Sequence, residues 1–385
     1  MASPSLPGQI SLSVSARSGI VAIPGGEKYP WAETALRLAG FTRGDGGVYT
    51  LANTDPAATR HTLAQLVVIA GRHRTSITTS SRPYIGDAAD AIVRGLPGAW
   101  TATLEIYSHP VWQEDLVPWL WDAGPLATAV RTERVPCAAQ LGNGEGVHLM
   151  LVERPGHTEG YLLGALAPVP FDDNDECPFA PRSIVLPQTA DAAAQAITEE
   201  FLPAYHQAIH YRRIDAAEQA LARARAIVQR QRACSSAPAR GSRQPRPLDG
   251  SVAEDLWYDF REFMVHAPFL FAQCPPERRP SRDRAALDRL RAALETGAGL
   301  LPDWQPAHKD PQEAAVLIRA EKDPEARAHR GRQAWPAIQT WLADGDTLTR
   351  HARDAAPRTR SPALAQGTPA ALPAPAAGTG AGPHR

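Results

Sequence analysis

Residues 9–23 read QISLSVSARSGIVAI, and apolar residues alternate there with small polar ones. Ile10, Leu12 and Val14 are separated by serines, and a second apolar run follows Gly19. Alternation with a period of two is typical of a half-buried strand, and glycine between two such runs favours a tight turn. The segment therefore predicts a hairpin or two short strands.

The pattern of strands and helices continues outward from this hairpin to residue 188. Proline after a capping residue, turn glycines and apolar periodicity mark the elements. Helices are predicted at Pro30 to Gly40, Asp55 to Gly71, Ile85 to Leu96 and Pro110 to Leu120, strands at Val48 to Leu51, Ile77 to Thr79, Thr101 to Tyr107 and Ile184 to Leu186, and an antiparallel meander over 126–166. We therefore predict an α+β domain over 1–188, mainly antiparallel sheet with packed helices.

The second half of the chain has helical periodicity throughout. A long helix is predicted over 189–233, kinked or divided at Pro203 because proline cannot donate its backbone hydrogen bond. A basic linker over 234–250 leads to a small all-α region over 251–354, with helix starts at Ser251, Asp310 and Asp323. The composition of 355–385, rich in Ala, Pro and Gly, predicts a disordered C-terminal tail.

Composition indicates a globular protein of the cytoplasm. Hydrophobic residues make up 43% and charged residues 21% of the 385 positions, which suffices for ordinary cores. The cysteines Cys137, Cys177, Cys234 and Cys274 are widely spaced, without a disulfide or zinc pattern. No secretory signal or apolar stretch of membrane-spanning length occurs, so no membrane partner is expected.

Charge is divided unevenly between the two halves. Residues 1–200 carry 13 Lys and Arg against 21 Asp and Glu, a net −8, while the remainder carries 27 against 20, a net +7. Such a division favours a back half that meets an anionic partner or the acidic front half. The alternative is that its exposed helices are simply highly charged.

Arginines in the back half are spaced to form stripes. Spacings of 11 and 7 residues place three of them along one helix face, and spacings of three in the linker match one face of a polyproline II helix. Guanidinium groups so arranged can follow phosphates, although internal ion pairs, for example with Asp215 and Glu218, are an alternative. The candidate nucleic-acid-binding residues are Arg212, Arg223, Arg230, Arg240, Arg243 and Arg246.

An enzyme site in the front domain is a second hypothesis. Cys137, His148 and His157 fall within the predicted meander, and a cysteine beside a histidine can act as a nucleophile. Catalysis by these residues requires one pocket that joins their side chains. A buried structural cysteine is the alternative.

Two further groups resemble metal ligands without matching a known ligand pattern. His206 and His210 are one helical turn apart, but no third ligand follows from the sequence. The acidic loop 172–176 lacks the spacing and glycine of a calcium loop. We therefore expect no metal, no cofactor and no assigned catalytic residue.

Three segments resemble sequences found in Streptomyces-type actinobacterial proteins. They are His109-Pro-Val-Trp-Gln-Glu-Asp115, Glu153-Arg-Pro-Gly-His157 and Ala180-Pro-Arg-Ser-Ile-Val185. The resemblance covers about residues 100–213 and implies neither an activity nor a catalytic residue.

The function predicted from the sequence is that of a non-catalytic cytoplasmic protein. It binds DNA or a protein partner through the arginine-rich helix and linker. A protein adaptor that uses the helices of 251–354, whose aromatic residues Trp257, Phe260 and Phe263 recur at helical spacing, is the alternative beside an enzyme.

Overall fold

The computed structural model describes residues 8–157, 160–168, 171, 178–235, 249–274, 281–301 and 323–356. These residues form two sheets followed by a helical region. The predicted α+β class is confirmed, because antiparallel pairing dominates both sheets.

The first sheet has the strand order β3-β4-β2-β1-β5. Its strands are β1 Gly8–Ser15, β2 Gly19–Gly25, β3 Thr42–Arg43, β4 Tyr49–Leu51 and β5 Thr75–Pro83. The predicted hairpin is β1 and β2, joined at a turn where Gly19 has a φ of 77°, a left-handed value that glycine adopts without a steric penalty. Strands β1 and β5 pair in parallel.

Helices α1 Tyr29–Leu38 and α2 Pro56–Arg72 cover one face of the first sheet. Their buried residues pack with Ile10 and Ala22 in one apolar cluster. Asp55 caps α2 as predicted, its carboxylate accepting a hydrogen bond from the Ala57 amide at 2.8 Å. The opposite face of the sheet is left for contact with the second sheet.

The second sheet has the order β11-β10-β9-β8-β6, with β7 also paired to β10. Its strands are β6 Thr101–Ile106, β7 Leu120–Trp121, β8 Cys137–Gly142, β9 His148–Glu153, β10 Tyr161–Leu166 and β11 Ile184–Leu186. Helix α3 Ile85–Gly95 packs on one face, and α4 Pro110–Glu114 and α5 Pro125–Thr132 precede β8. Separate apolar clusters lie on the two faces, so this sheet is buried on both sides.

Two predictions for this region are wrong. Helix α4 ends at Glu114, and Leu120 belongs to β7 instead of the helix. Residues 126–132, predicted as part of the meander, belong to α5. Pro125 at the first helical position favours the helix, and the Asp122 carboxylate accepts hydrogen bonds from the amides of Gly124 at 2.9 Å and Ala127 at 2.8 Å.

The long helix is interrupted where proline occurs. It runs as α6 Ala190–Ala196, a π-helical turn Ile197–Phe201 and α7 Leu202–Ser235. Pro203 has no backbone N–H to donate to the carbonyl oxygen one turn earlier, and the π-helical turn lies directly before this proline. Such turns accommodate a break in the regular hydrogen-bond ladder.

The helical region has a core of its own. Its other helices are α8 Gly250–Ala272, α9 Ser281–Gly299, α10 Pro324–Gln333 and α11 Trp335–Ala355. Trp257, Phe260 and Phe263 of α8 are completely buried with Trp341 of α11. The aromatic stripe considered for an adaptor surface is therefore the core of this region.

In the helical region, α10 begins at its predicted capping residue, whereas α8 begins slightly before the predicted one. Asp323 caps α10 as predicted, accepting from the Glu325 amide at 3.0 Å. The cap of α8 is Asp249, two residues before the predicted Ser251, and its carboxylate accepts from the Ser251 amide. The start predicted at Asp310, residues 236–248 of the linker and residues 357–385 of the tail lie outside the described residues.

Candidate functional site

A pocket of about 310 Å³ lies where the first sheet meets the second. Strands β1 and β5 form one wall, while the start of β8 and the end of β9 contribute the facing residues. Clefts between two packed units are common places for ligand sites. We call this cavity the intersheet pocket.

An irregularity in β5 turns polar residues into the intersheet pocket. Leu12 pairs with Thr79 and Val14 pairs with Pro83, so three residues of β5 stand opposite the single residue Ser13 of β1. Bulges in parallel pairs are uncommon and re-aim side chains near functional sites. All three bulged residues line the pocket, namely Ser80, Ser81 and Arg82.

Arg82 connects the two sheets from inside the pocket. Its side chain is only 8% exposed, and its Nη1 donates to Glu153 Oε2 at 3.0 Å. Its Nη2 donates to the carbonyl oxygens of Arg154, at 2.8 Å, and His157. The guanidinium therefore holds the β9–β10 loop of the second sheet against β5 of the first.

One donor of Arg82 lacks an acceptor among the described residues. Its Nε is buried and makes no hydrogen bond to any residue that the structure describes. Leaving such a donor unpaired costs about 1–3 kcal/mol.

Part of the pocket lining is apolar, and the Cys137 thiol and the Tyr84 hydroxyl in that lining are neutral. Ile23 and Ile85 contribute aliphatic surface. Burial raises the pKa of the Cys137 thiol far above its ordinary value, and the neighbouring Glu153 carboxylate raises it further. Burial likewise raises the pKa of Tyr84 to about 12. At neutral pH the thiol is protonated and is a poor nucleophile.

The structure separates the three residues of the enzyme hypothesis. Cys137 is the first residue of β8, whereas His148 pairs with Gly142 at its other end. Cys137 belongs to the cluster on one face of the sheet. The His148 ring lies on the opposite face, where its Nδ1 is 3.2 Å from the Gln140 amide nitrogen Nε2. The two faces differ because side chains alternate along a strand. Of the two histidines, His157 shares the pocket with Cys137.

The arginines predicted to bind nucleic acid are in different environments. Arg212 is 13% exposed, pairs with Asp215 at 3.1 Å and lies 5.5 Å from the Phe171 ring. Arg223 pairs with Asp259 at 2.8 Å and with Glu262, both on α8. These two guanidinium groups are therefore neutralised within the molecule.

Of the other four candidates, Arg230 alone lies within the described residues. Arg230 is exposed near the end of α7, and within the described ranges it has no carboxylate partner. Arg240, Arg243 and Arg246 lie outside the described residues.

Other arginines of the helical region also pair across helices. The pairs are Arg225 with Asp346, Arg289 with Asp344, Arg327 with Glu254, Arg350 with Asp283 and Arg353 with Glu218. Much of the positive charge of the back half is thus balanced by carboxylates of that same half.

The front domain also contacts the helical region directly. Phe171, which precedes the acidic loop, stacks on His266 of α8 at 5.6 Å and lies 6.2 Å from Trp121. Beside this contact, within the helical region, the Arg213 guanidinium of α7 lies 3.7 Å from the Phe269 ring of α8. Complete burial, with the two neighbouring arginines, lowers the pKa of His266 to about 3. Residues 172–176 of the loop lie outside the described residues.

The histidine pair on α7 is used inside the fold. His210 Nε2 lies 2.9 Å from the Ala352 carbonyl oxygen, and the His206 ring packs edge-on against Tyr205. Burial lowers the pKa of His206. In the part of the chain that the structure describes, no three His, Cys, Asp or Glu side chains are grouped as metal ligands.

The residues of the intersheet pocket are not evident from the sequence. Their signal is the alternating serines of residues 11–15 and the serine- and threonine-rich run of residues 75–81, which are also typical of solvent-facing strands. The bulge that places Arg82 beside Glu153 depends on contact between residues 71 positions apart.

Comparison with known proteins gives no match, neither to a family model nor to a curated protein or a solved structure. Of the helices in the described ranges, none is both long and apolar enough to cross a membrane.

Proposed function

We propose that this chain is a non-catalytic binding protein whose intersheet pocket holds a small polar ligand. The observation that carries the proposal is the intersheet pocket itself, a cavity of about 310 Å³ lined by serine and threonine hydroxyl groups and by the Arg82–Glu153 ion pair. Such hydroxyl groups can exchange hydrogen bonds with a polar ligand.

The chemistry of the pocket favours binding over catalysis. A general base or nucleophile needs a pKa near the working pH. Cys137 and Tyr84, by contrast, have raised pKa values and stay protonated. Cytoplasmic localisation is part of the proposal, and the buried free thiol of Cys137 supports a reducing compartment.

A thermal-shift screen of amino acids, sugars, nucleosides and organic acids tests the proposal. A ligand at about 100 times its Kd adds about 2.7 kcal/mol to the free energy of unfolding. Ser11→Phe places a ring in the pocket, whereas Val14→Phe, on the same strand at a position 62% exposed, leaves it open.

At least one compound is expected to stabilise the wild type and Val14→Phe but not Ser11→Phe. If no compound stabilises the wild type, or if every stabilising compound acts equally on Ser11→Phe, the pocket is not a ligand site.

A second candidate function is contact with nucleic acid at the end of α7. Arg230 and Arg232 are exposed there, and no acidic residue occurs between Gln219 and Leu248. Removing one arginine that binds a phosphate should reduce the salt dependence of DNA binding by about one unit of logarithmic slope.

Retention on double-stranded DNA should therefore weaken in Arg230→Gln but not in the matched variant Arg223→Gln, since Arg223 is already paired. Equal retention of the wild type and Arg230→Gln would remove this candidate. A protein partner on the helices of 251–354 stays a prediction.

A further inference from the structure

The polar wall of the intersheet pocket consists largely of hydroxyl groups. Ser11, Ser13, Thr78, Ser80 and Ser81 all line it, and Ser11 Oγ lies 3.3 Å from Thr78 Oγ1. A hydroxyl both donates and accepts a hydrogen bond and rotates to suit its partner. Such a wall matches a ligand whose own polar groups are also hydroxyls.

The charges in the pocket balance each other. Arg82 and Glu153 face one another at 3.0 Å, and His157 is an exposed residue of the lining. An anion at Arg82 would meet the Glu153 carboxylate, and a cation at Glu153 would meet the guanidinium. Like-charge contact of this kind costs free energy, so the pocket favours a ligand without net charge.

The floor and the size of the pocket limit the ligand further. Ile23, Ile85 and the Tyr84 ring offer apolar surface to the flat or aliphatic face of a ring. The volume of about 310 Å³ equals that of about ten water molecules in the liquid. A single substituted ring or a nucleoside fits these dimensions.

We propose that the ligand is a neutral ring compound bearing several hydroxyl groups, either a monosaccharide-like polyol or a nucleoside. The ring hydroxyls exchange hydrogen bonds with the hydroxyl groups of β1 and β5. This inference rests on the proposed function and specifies its ligand class.

Isothermal titration of the full chain tests the ligand class. The neutral probes are N-acetylglucosamine, myo-inositol, adenosine and uridine, and the anionic counterparts are N-acetylglucosamine 6-phosphate, myo-inositol 1-phosphate, adenosine monophosphate and uridine monophosphate. At least one neutral probe is expected to bind, and its anionic counterpart to bind more weakly. Whether sugars or nucleosides bind decides the source of the ligand.

Variants of β5 connect the binding to the hydroxyl wall. Thr78→Val and Ser80→Ala each remove one hydroxyl from the pocket. Each should lower the affinity for the neutral probe that binds by about fivefold, which is the effect of one hydrogen bond. Ser76→Ala is the matched control, because Ser76 lies on the same strand outside the lining and bonds to the Gly8 carbonyl oxygen. Its affinity should stay at the wild-type value.

The charge balance makes a separate prediction for Glu153→Gln. Without the carboxylate, the pocket keeps the positive charge of Arg82, so the anionic counterpart should gain affinity relative to the neutral probe. Tighter binding of the anion to the wild type would overturn the ligand class, as would unaltered affinity in both hydroxyl variants.

Two failures can be told apart. If every probe fails while the thermal-shift screen finds a compound whose effect disappears in Ser11→Phe, the ligand class is wrong and the proposed function stands. If the screen also fails, both are wrong.

Discussion

Replacing Arg82 by methionine should destabilise the protein far more than the loss of one surface ion pair. The variant leaves the Glu153 carboxylate, 31% exposed, without its partner and removes the donor to the carbonyl oxygens of Arg154 and His157. Removing one partner from a buried pair costs about 3–5 kcal/mol. Water reaches Glu153 in part and the unpaired Nε is also removed, so we expect the lower end, about 3 kcal/mol.

Urea unfolding followed by circular dichroism measures this destabilisation. The control is Arg17→Met, because Arg17 is 61% exposed and pairs with Asp87 and Asp90 at the surface, where solvent screening makes ion pairs weak. Arg82→Met with Glu153→Gln should recover about 1–2 kcal/mol by removing the unpaired charge. Equal unfolding midpoints for Arg82→Met and Arg17→Met would refute the role of Arg82 as a buried connection between the sheets.

Three further predictions concern pH, thiol chemistry and packing. Because the pKa of His266 is about 3 in the folded state against 6.5 as the ordinary value, the unfolded chain binds more protons between these values. Stability should fall with falling pH in that window by up to about 1.4 kcal/mol per pH unit, and the slope should flatten in His266→Phe; equal slopes in urea titrations would contradict it. The protonated Cys137 thiol should react with iodoacetamide at pH 8 at least about tenfold more slowly than free cysteine, and mass spectrometry that finds rapid alkylation there would reject the neutral thiol. Gly331→Ala places a methyl group against the Ala253 carbonyl oxygen and should separate α10 from α8, at a cost of about 3 kcal/mol or more, whereas Gly71→Ala meets no atom within 4 Å and should be neutral or slightly stabilising; similar unfolding midpoints for the two variants would be the contrary result.

Local signals in the sequence predict most of the elements. The hairpin around Gly19 and the caps Asp55 and Asp323 depend on neighbouring residues, and all are found where the sequence places them. Helix α5 is harder to predict because its capping carboxylate, Asp122, precedes the helix by three residues. The same carboxylate also accepts from the distant Ser183 hydroxyl at 3.0 Å, a contact that sequence spacing does not indicate.

The candidate site is harder to predict still because it depends on tertiary contacts. Acidic residues nearby in sequence are the evident partners for the arginine stripe, but the partners of Arg223 are Asp259 and Glu262 on another helix. In the same way, Arg82 gains its importance only from the approach of β9. Spacing along a helix or strand identifies a face, but it does not identify what packs against that face.

The role of Arg82 can be observed directly by nuclear magnetic resonance of arginine Nε–H groups, with Arg82→Lys used to assign the signal. A compound bound in the intersheet pocket beside Arg82 should move the Arg82 signal when it is added, while the signal of the exposed Arg17 stays in place. Saturating binding of the compound with an unmoved Arg82 signal would show that the compound binds outside the intersheet pocket.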